Sequence, residues 1–386
     1  MVERRNIIER WKKFGTQAFE MHSQLMLWLW SVFIYLIGQW LLYWFAKVSG
    51  YPAETLTKLI AQVKYLDVNW YLDIAQKGYW IDPTRLAQSV VFFPLFPWLI
   101  RGMHELTSMG FGLSALVVQK LSAAAMFAAL VWWVRSFAPL PHFSVVTLCT
   151  VFLTFHPAAI FLYVPYTEAL FLSMGFLLAG LLERAPRQST PWIACLCALG
   201  MGLTRPSGLF LLPCGAIMLV LVWKQPTQRN IAWSLIAGVL VAIVILTVTL
   251  QYYVGEPFAF YVRRFGVEGW KEDPSLVNIL RLIQVPIGGR HMGRYLVIYA
   301  HLAGCFLLWR SGQRTVGLFC LLLILVPVYQ GKLGDMARYC LSASPAWILF
   351  VLYTARWPWA IGLLGILSGI YAFHLLILWL QQGWAG

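Results

Sequence analysis

The stretch YLDVNWYLDIAQKGYW, residues 65–80, sets two aspartates six positions apart among aromatic side chains. Treated as a helix, it puts Trp70, Tyr71 and Ile74 at offsets of three, four and seven from Asp67, so this carboxylate stands on the aromatic face. Asp73 falls about 240° further round, in line with Asn69 and with Lys77 at i+4, which is the pattern of a solvated ion pair. A carboxylate on an apolar face is costly to desolvate unless a cation, hydrogen bonds or a water-filled cavity compensate it. Asp67 is therefore the candidate base and Asp73 a structural residue. The plainer alternative for Asp67 is a helix cap or a loop-anchoring hydrogen bond.

The chain that must position these groups is greasy. Of its 386 residues 60% are hydrophobic and 11% charged, more apolar surface than one soluble core can hide. Apolar runs cover 25–46, 112–134, 143–163, 231–253 and 359–380, and shorter ones 166–182, 191–205, 206–223, 294–309, 315–330 and 338–354. About 20 helical residues span a bilayer's hydrocarbon. The expectation is an all-α, polytopic membrane protein with about eleven spans, juxtamembrane helices on the non-cytoplasmic side and a single domain over 1–386. The excess of 29 Lys and Arg over 15 Asp and Glu is dispersed between the runs and forms no stripe, which argues against nucleic acid. All seven cysteines fall inside apolar runs without a CxxC pair, so they read as packing residues. No dinucleotide-binding glycine pattern, P-loop, HExxH or GxSxG occurs.

Arg4, Arg5, Arg10, Lys12 and Lys13 place the N-terminal segment 1–24 in the cytoplasm, and the first run is too long for a cleaved signal core. Alternation then makes Arg135, Arg184 with Arg187, Lys224 with Arg229, Arg310 with Arg314, and Arg356 cytoplasmic. The long segments 47–111 and 254–293 face the other side; they too carry basic residues, but long loops obey the charge rule poorly. On that layout the stretch around Asp67, YVPYTEALF (163–171), LTRPSG (203–208) and GKLGDMARY (331–339) converge on one outer face. Ordinary charged loop ends would give the same scatter of polar groups.

In order along the chain, LDVNWYLDIAQKGY, VVFFPLFPWLIRG (90–102), YTEALF, LTRPSGLFLLP (203–213) and ARYCLSASP (337–345) resemble the PIG-V family of mannosyltransferases. This family belongs to the GT-C class of membrane glycosyltransferases and includes bacterial relatives; the likeness runs over roughly 25–355. It implies transfer of a sugar, usually mannose, from a polyprenyl or dolichyl phosphate carrier to an acceptor on the non-cytoplasmic side. The family's functional aspartate, usually in a WD pair, matches Asp67, here preceded by Leu66. Glu168 matches its second acidic position and Arg205 the arginine of its LTRP element. The family often has an acid shortly before FFP, where this chain has Arg85, Gln88 and Ser89.

Breaking a sugar's bond to a lipid phosphate demands a hold on the phosphate's charge and a base for the attacking hydroxyl. Asp67 would take that proton in a single, inverting displacement. Arg205, before Pro206 at a break between two short helices, could engage phosphate oxygens, or simply snorkel to the interface. Arg338 and Tyr339 could serve the same phosphate, although Asp335 at i−3 could pair with Arg338 instead. Glu168, after Pro165, suits acceptor binding or plain capping of a helix start. Trp70 and Tyr71 would line the substrate site. The aromatics of FFPLFP suit a surface for lipid tails or sugar rings, or the packing of a re-entrant segment. Arg263, Arg264 and GGRH (288–291) could touch diphosphate or acceptor, but nothing singles them out. Carboxylates so widely separated in sequence point to no metal, and no cofactor is expected beyond the lipid-linked sugar, a substrate. The partners implied are that donor and a lipid, glycan or protein acceptor; a membrane partner subunit is left open by the sequence. The absence of an Asn-x-Ser/Thr sequon favours a bacterial plasma membrane over the endoplasmic reticulum. A transporter or lipid flippase is the alternative reading, since intramembrane charges and helix-breaking prolines also mark translocation paths; no internal repeat supports it.

Overall fold

A backbone taken out of water must satisfy its own polar groups, and an unbroken apolar run does so as a helix. In the computed structural model, which describes residues 2–48, 50, 67–81, 89–137, 142–184, 188–265, 274–282 and 292–382, the regular elements are all helical. They are α1 (Val2–Val48), α2 (Asp67–Lys77), α3 (Leu95–Thr107), α4 (Phe111–Phe137), α5 (His142–Thr154) and α6 (Ile160–Tyr163). There follow α7 (Glu168–Glu183), α8 (Thr190–Thr204), α9 (Leu211–Leu221), α10 (Pro226–Val254), α11 (Ala259–Phe265) and α12 (Leu276–Leu280). The last are α13 (Met292–Arg310), α14 (Arg314–Tyr329), α15 (Met336–Ser342), α16 (Ser344–Thr354) and α17 (Pro358–Gln382).

The protein is membrane-embedded. Among the described residues five helical stretches are long and apolar enough to cross a bilayer: Ser23–Val48, Phe111–Phe137, Pro226–Val254, Met292–Arg310 and Pro358–Ile377. Five further apolar helices are shorter, and two expected runs prove discontinuous. The run 143–163 breaks after Thr154, because Pro157 cannot donate into the ladder, and resumes only as α6. The run 338–354 is divided between α15 and α16, with Pro345 in the first turn of the latter. Side chains repair the first break. The Ala158 N–H donates to His156 Nδ1 at 3.0 Å, and His301 Nδ1 donates to the Val297 carbonyl at 2.7 Å. The two histidines thus meet through their Nε2 atoms at 3.4 Å, both fully buried, with the Trp347 indole stacked on His301. Since one nitrogen of each ring is committed, His156 Nε2 is the donor and His301 Nε2 the acceptor.

Close helix crossings rely on small residues, as is usual where lipid supplies no hydrophobic drive between helices. At Gly304 a Cβ would strike the backbone carbonyl of Ala346, so α13 and α16 touch main chain to main chain. At Gly238 it would strike the Cys195 carbonyl across α10 and α8. The seven cysteines are free, six of them buried, in keeping with a packing role.

A second, smaller core sits at one end of the bundle. There α2 and α3 lie over the ends of α4 and α10, joined by Tyr71, Ile74, Phe92, Phe96, Ala115 and Leu246. The FFPLFP stretch makes this cap: a 3-10 turn at Ser89–Val91, then α3 from Leu95, with Pro97 in the first turn where a missing N–H costs nothing. The segment is thus a turn followed by a regular helix.

Candidate functional site

Four charged side chains, three from helices and one from the junction after α8, meet beneath this cap. Asp67 is the first residue of α2, and Glu168 the first of α7, each where a helix N-terminus favours negative charge. Arg205 follows α8 in extended backbone (φ −153°, ψ 150°), the conformation that Pro206 imposes on the residue before it, and a 3-10 turn Pro206–Phe210 leads on to α9. Arg338 lies in the second half-turn of α15.

Their geometry is one connected network. Arg205 Nη1 donates to Glu168 Oε1 at 2.7 Å, Arg338 Nε donates to the same oxygen at 2.5 Å, and Arg338 Nη1 donates to Asp67 Oδ2 at 2.5 Å. Side-chain exposure grades from 0% at Glu168 through 10% at Arg205 and 20% at Arg338 to 27% at Asp67, so the network runs from the protein interior out to a cavity. Charge-assisted bonds of this kind are short and strong, and two acids against two guanidiniums leave the cluster neutral, as burial requires. The Arg338 guanidinium carbon also sits 5.0 Å from the Phe161 ring and 4.8 Å from the Tyr166 ring. Held by two carboxylates and two rings, Arg338 has little freedom. Arg205 borders the same cavity as Arg338 but has one carboxylate partner instead of two.

The cavity measures about 280 Å³. Its polar lining includes Asp67, Arg205, Ser207, Gln330, Arg338 and Tyr339, and its aromatic walls include Tyr71, Phe92, Phe93, Phe210 and Phe260. The buried Ser207 hydroxyl has no hydrogen-bond partner among the described residues, nor does Glu168 Oε2 beneath. Burial, and after it the Asp67 charge, pushes the Tyr71 phenol well up, so it stays a neutral group beside the acid. Asp335, on the turn before α15, is also held above the usual carboxylate range, by burial first, with the Asp67 charge adding to it and Arg338 opposing.

The sequence-derived candidates separate accordingly. Asp67, Tyr71, Arg205, Arg338 and Tyr339 all border the cavity. Glu168 begins a helix as expected, yet it is a buried anchor for two arginines and does not reach the cavity wall. Trp70 stacks with Trp80 (5.8 Å) and with Phe92 (5.7 Å), at the edge of the cap, and is not part of the cavity lining. Asp335 does not take Arg338 as its ion-pair partner, because α15 starts only at Met336 and the i−3 relation across a 3-10 turn is not a helical one. Asp73 pairs with Lys77 at 3.2 Å, on the exposed side. Of the FFPLFP aromatics, Phe92 and Phe93 face the cavity. Phe260, Gln330 and Ser207 were not foreseen. Ser207 adjoins the arginine that was, whereas Phe260 and Gln330 carry no local signal. Arg85, Gln88 and the stretch 288–291 lie outside the described residues, as do the side chains of Arg263 and Arg264. Among the described residues no three His, Cys, Asp or Glu side chains form a group that could hold a metal ion. No family model matches the chain, and no curated protein matches it either.

Proposed function

We propose that the protein is a membrane glycosyltransferase that moves a sugar, mannose by its resemblance to the PIG-V family, from a polyprenyl or dolichyl phosphate to an acceptor hydroxyl. The observation that carries this reading is the pairing, at one aromatic-walled cavity, of a rim carboxylate with two guanidiniums anchored from below by a buried acid. Asp67 is the base and Arg205 the phosphate ligand, since Arg205 borders the cavity with a single carboxylate behind it.

The steps follow from charge. A sugar–phosphate–lipid diester carries one negative charge and arrives at a neutral cluster. Its phosphate competes with Asp67 for Arg338 and takes bonds from Arg205, and the released carboxylate can then accept a proton. The acceptor oxygen attacks the anomeric carbon from the face opposite the phosphate. As that bond forms, the carbon–oxygen bond to phosphate breaks, its electron pair stays on the phosphate, and the hydroxyl proton passes to Asp67. Configuration inverts, and a positioned base of this kind contributes roughly 10²–10⁴-fold. The isoprenoid lies against Phe92, Phe93, Phe210 and Phe260. In this reading the ten or so apolar helices and the discontinuous segments make up about eleven spans of a GT-C-like domain, the site faces the non-cytoplasmic side, and the membrane is a bacterial plasma membrane.

The test uses protein purified in detergent, radiolabelled polyprenyl-phosphate mannose and a total lipid extract as acceptor. Wild type moves label from the carrier to a new product, and Asp67→Asn, eluting as a monodisperse peak, does so at least about 100-fold more slowly. Equal transfer by both proteins removes Asp67 from its role. Carrier movement across vesicles with no transfer sinks the enzyme reading in favour of a flippase.

A further inference from the structure

At the opposite end of the bundle from the acid–arginine network, the ends of α5, α13 and α16 bound a second opening, a cleft of about 780 Å³. Leu148, Leu307, Leu349 and Leu352 wall it, and Arg310 and Arg356 stand at its mouth. The two arginines come from different helix ends, and neither forms an ion pair among the described residues. Arg356 is 4.8 Å from the Tyr353 ring, a contact that leaves its N–H edges open. Among the described residues no aspartate or glutamate lines the cleft. An apolar trench under two guanidiniums with no acid partner among the described residues is a poor fit to bulk water and a good one to a molecule with an anionic head and a hydrocarbon body.

The level of the cleft favours a lipid. Trp309 and Trp357, the immediate neighbours of Arg310 (before it) and Arg356 (after it), are 48% and 43% exposed, and Trp359 is 72% exposed. Exposed tryptophans at helix ends are the mark of the headgroup layer, where the ring is half in hydrocarbon and its N–H meets water. The charge of the lining then selects among lipids. A zwitterionic headgroup needs an acid for its ammonium, and the described lining residues supply none; a headgroup with net negative charge meets two cations.

We propose that this cleft binds one acidic phospholipid, its phosphate between Arg310 and Arg356 and the first part of its acyl chains along Leu307, Leu349 and Leu352. A guanidinium pair suits phosphate because each fork can donate two parallel bonds. The charge-based topology makes this the cytoplasmic leaflet. The bound lipid joins the end of α13 to the end of α16, helices that already touch backbone to backbone at Gly304, and stabilises the bundle there by mass action. This inference does not depend on the sugar-transfer reading, because it concerns the other end of the molecule.

Native mass spectrometry of the delipidated, detergent-purified full chain, titrated with phosphatidylglycerol or phosphatidylcholine, tests it. Wild type retains one phosphatidylglycerol with a preference of roughly tenfold or more over phosphatidylcholine, as two surface cations near a headgroup allow. Arg310→Gln/Arg356→Gln loses that preference, whereas Lys224→Gln/Arg229→Gln, which removes two charges outside the cleft, keeps it. Ser144→Trp, which fills the mouth and leaves both arginines in place, also loses it, and it serves should the double arginine variant not purify as a single species. A wild type without preference overturns the proposal. So does a preference retained by the arginine variant or by Ser144→Trp, or one lost equally in Lys224→Gln/Arg229→Gln.

Discussion

Replacing Glu168 by Gln removes one charge from the centre of the network, and the cost can be worked from the contacts. Glu168 is fully buried and its Oε1 accepts from both Arg205 and Arg338. Without it, Arg338 keeps Asp67, but Arg205 loses its carboxylate while its side chain is 10% exposed. Breaking a buried ion pair from one side costs about 3–5 kcal/mol, because the remaining charge is left uncompensated. The glutamine oxygen still accepts one hydrogen bond, which recovers part of that, so the expected loss is about 3 kcal/mol. At the low end of the usual conversion, about 2 °C per kcal/mol for a long chain, the apparent Tm in detergent falls by roughly 6 °C. Asp67→Asn is milder. Its side chain is 27% exposed and Arg338 retains Glu168, so solvent screening reduces the loss to about 1 kcal/mol and roughly 2 °C. The assay is thermal unfolding of the purified variants followed by intrinsic tryptophan fluorescence, with Glu168→Gln/Arg205→Leu as a third protein. That double change takes out both members of the pair together, leaving no uncompensated Arg205 charge, and regains at least half of the loss. A Tm for Glu168→Gln equal to that of Asp67→Asn, or no recovery in the double variant, refutes the view that Glu168 is an anchor for buried cations.

Two further outcomes are expected. Asp335 has a carboxyl raised by burial, so the folded chain holds its proton more tightly than the unfolded one. The associated stability is complete below the unfolded value of about 4 and is lost as pH rises through the folded one; Asp335→Asn therefore raises the apparent Tm at pH 7, and the gain shrinks as the pH is lowered toward 4. A gain that does not change across that pH series rules the explanation out. Gly304→Ala drives a methyl group into the Ala346 carbonyl, where neither side is a flexible side chain, and destabilises by about 1–3 kcal/mol. Adding Ala346→Gly does not rescue it, since the clash is with main chain; rescue in a thermal-unfolding comparison would show that the crossing is set by side chains instead.

What could be read from the order of residues was local. Apolar runs with few charges dictate helices in a membrane, and the structure has them. Pro206 marked a helix boundary because a proline restricts the residue before it, and Arg205 is indeed extended. Asp73 and Lys77 found each other because i and i+4 share a helix face whatever the fold. By the same argument Asp67 stood out as the acid on the wrong, apolar face. Two boundaries were missed at Pro157 and Pro345, where strong flanking hydropathy concealed the lost backbone donor.

The site itself was not local. Asp67 and Arg338 are 271 positions apart, and Glu168 and Arg338 are separated by 170. Sequence could nominate each of these residues and could not say that they share oxygens, because side-chain partners across a bundle depend on helix packing and rotation rather than on spacing. Tertiary structure alone decided that Arg338 binds Asp67 and Glu168 and leaves Asp335, that Trp70 stacks with Trp80 and Phe92, and that Ser207, Phe260 and Gln330 join the cavity. Hydropathy determines that a segment enters the membrane; only the packing of one helix against the next determines which buried charges must neutralise each other there.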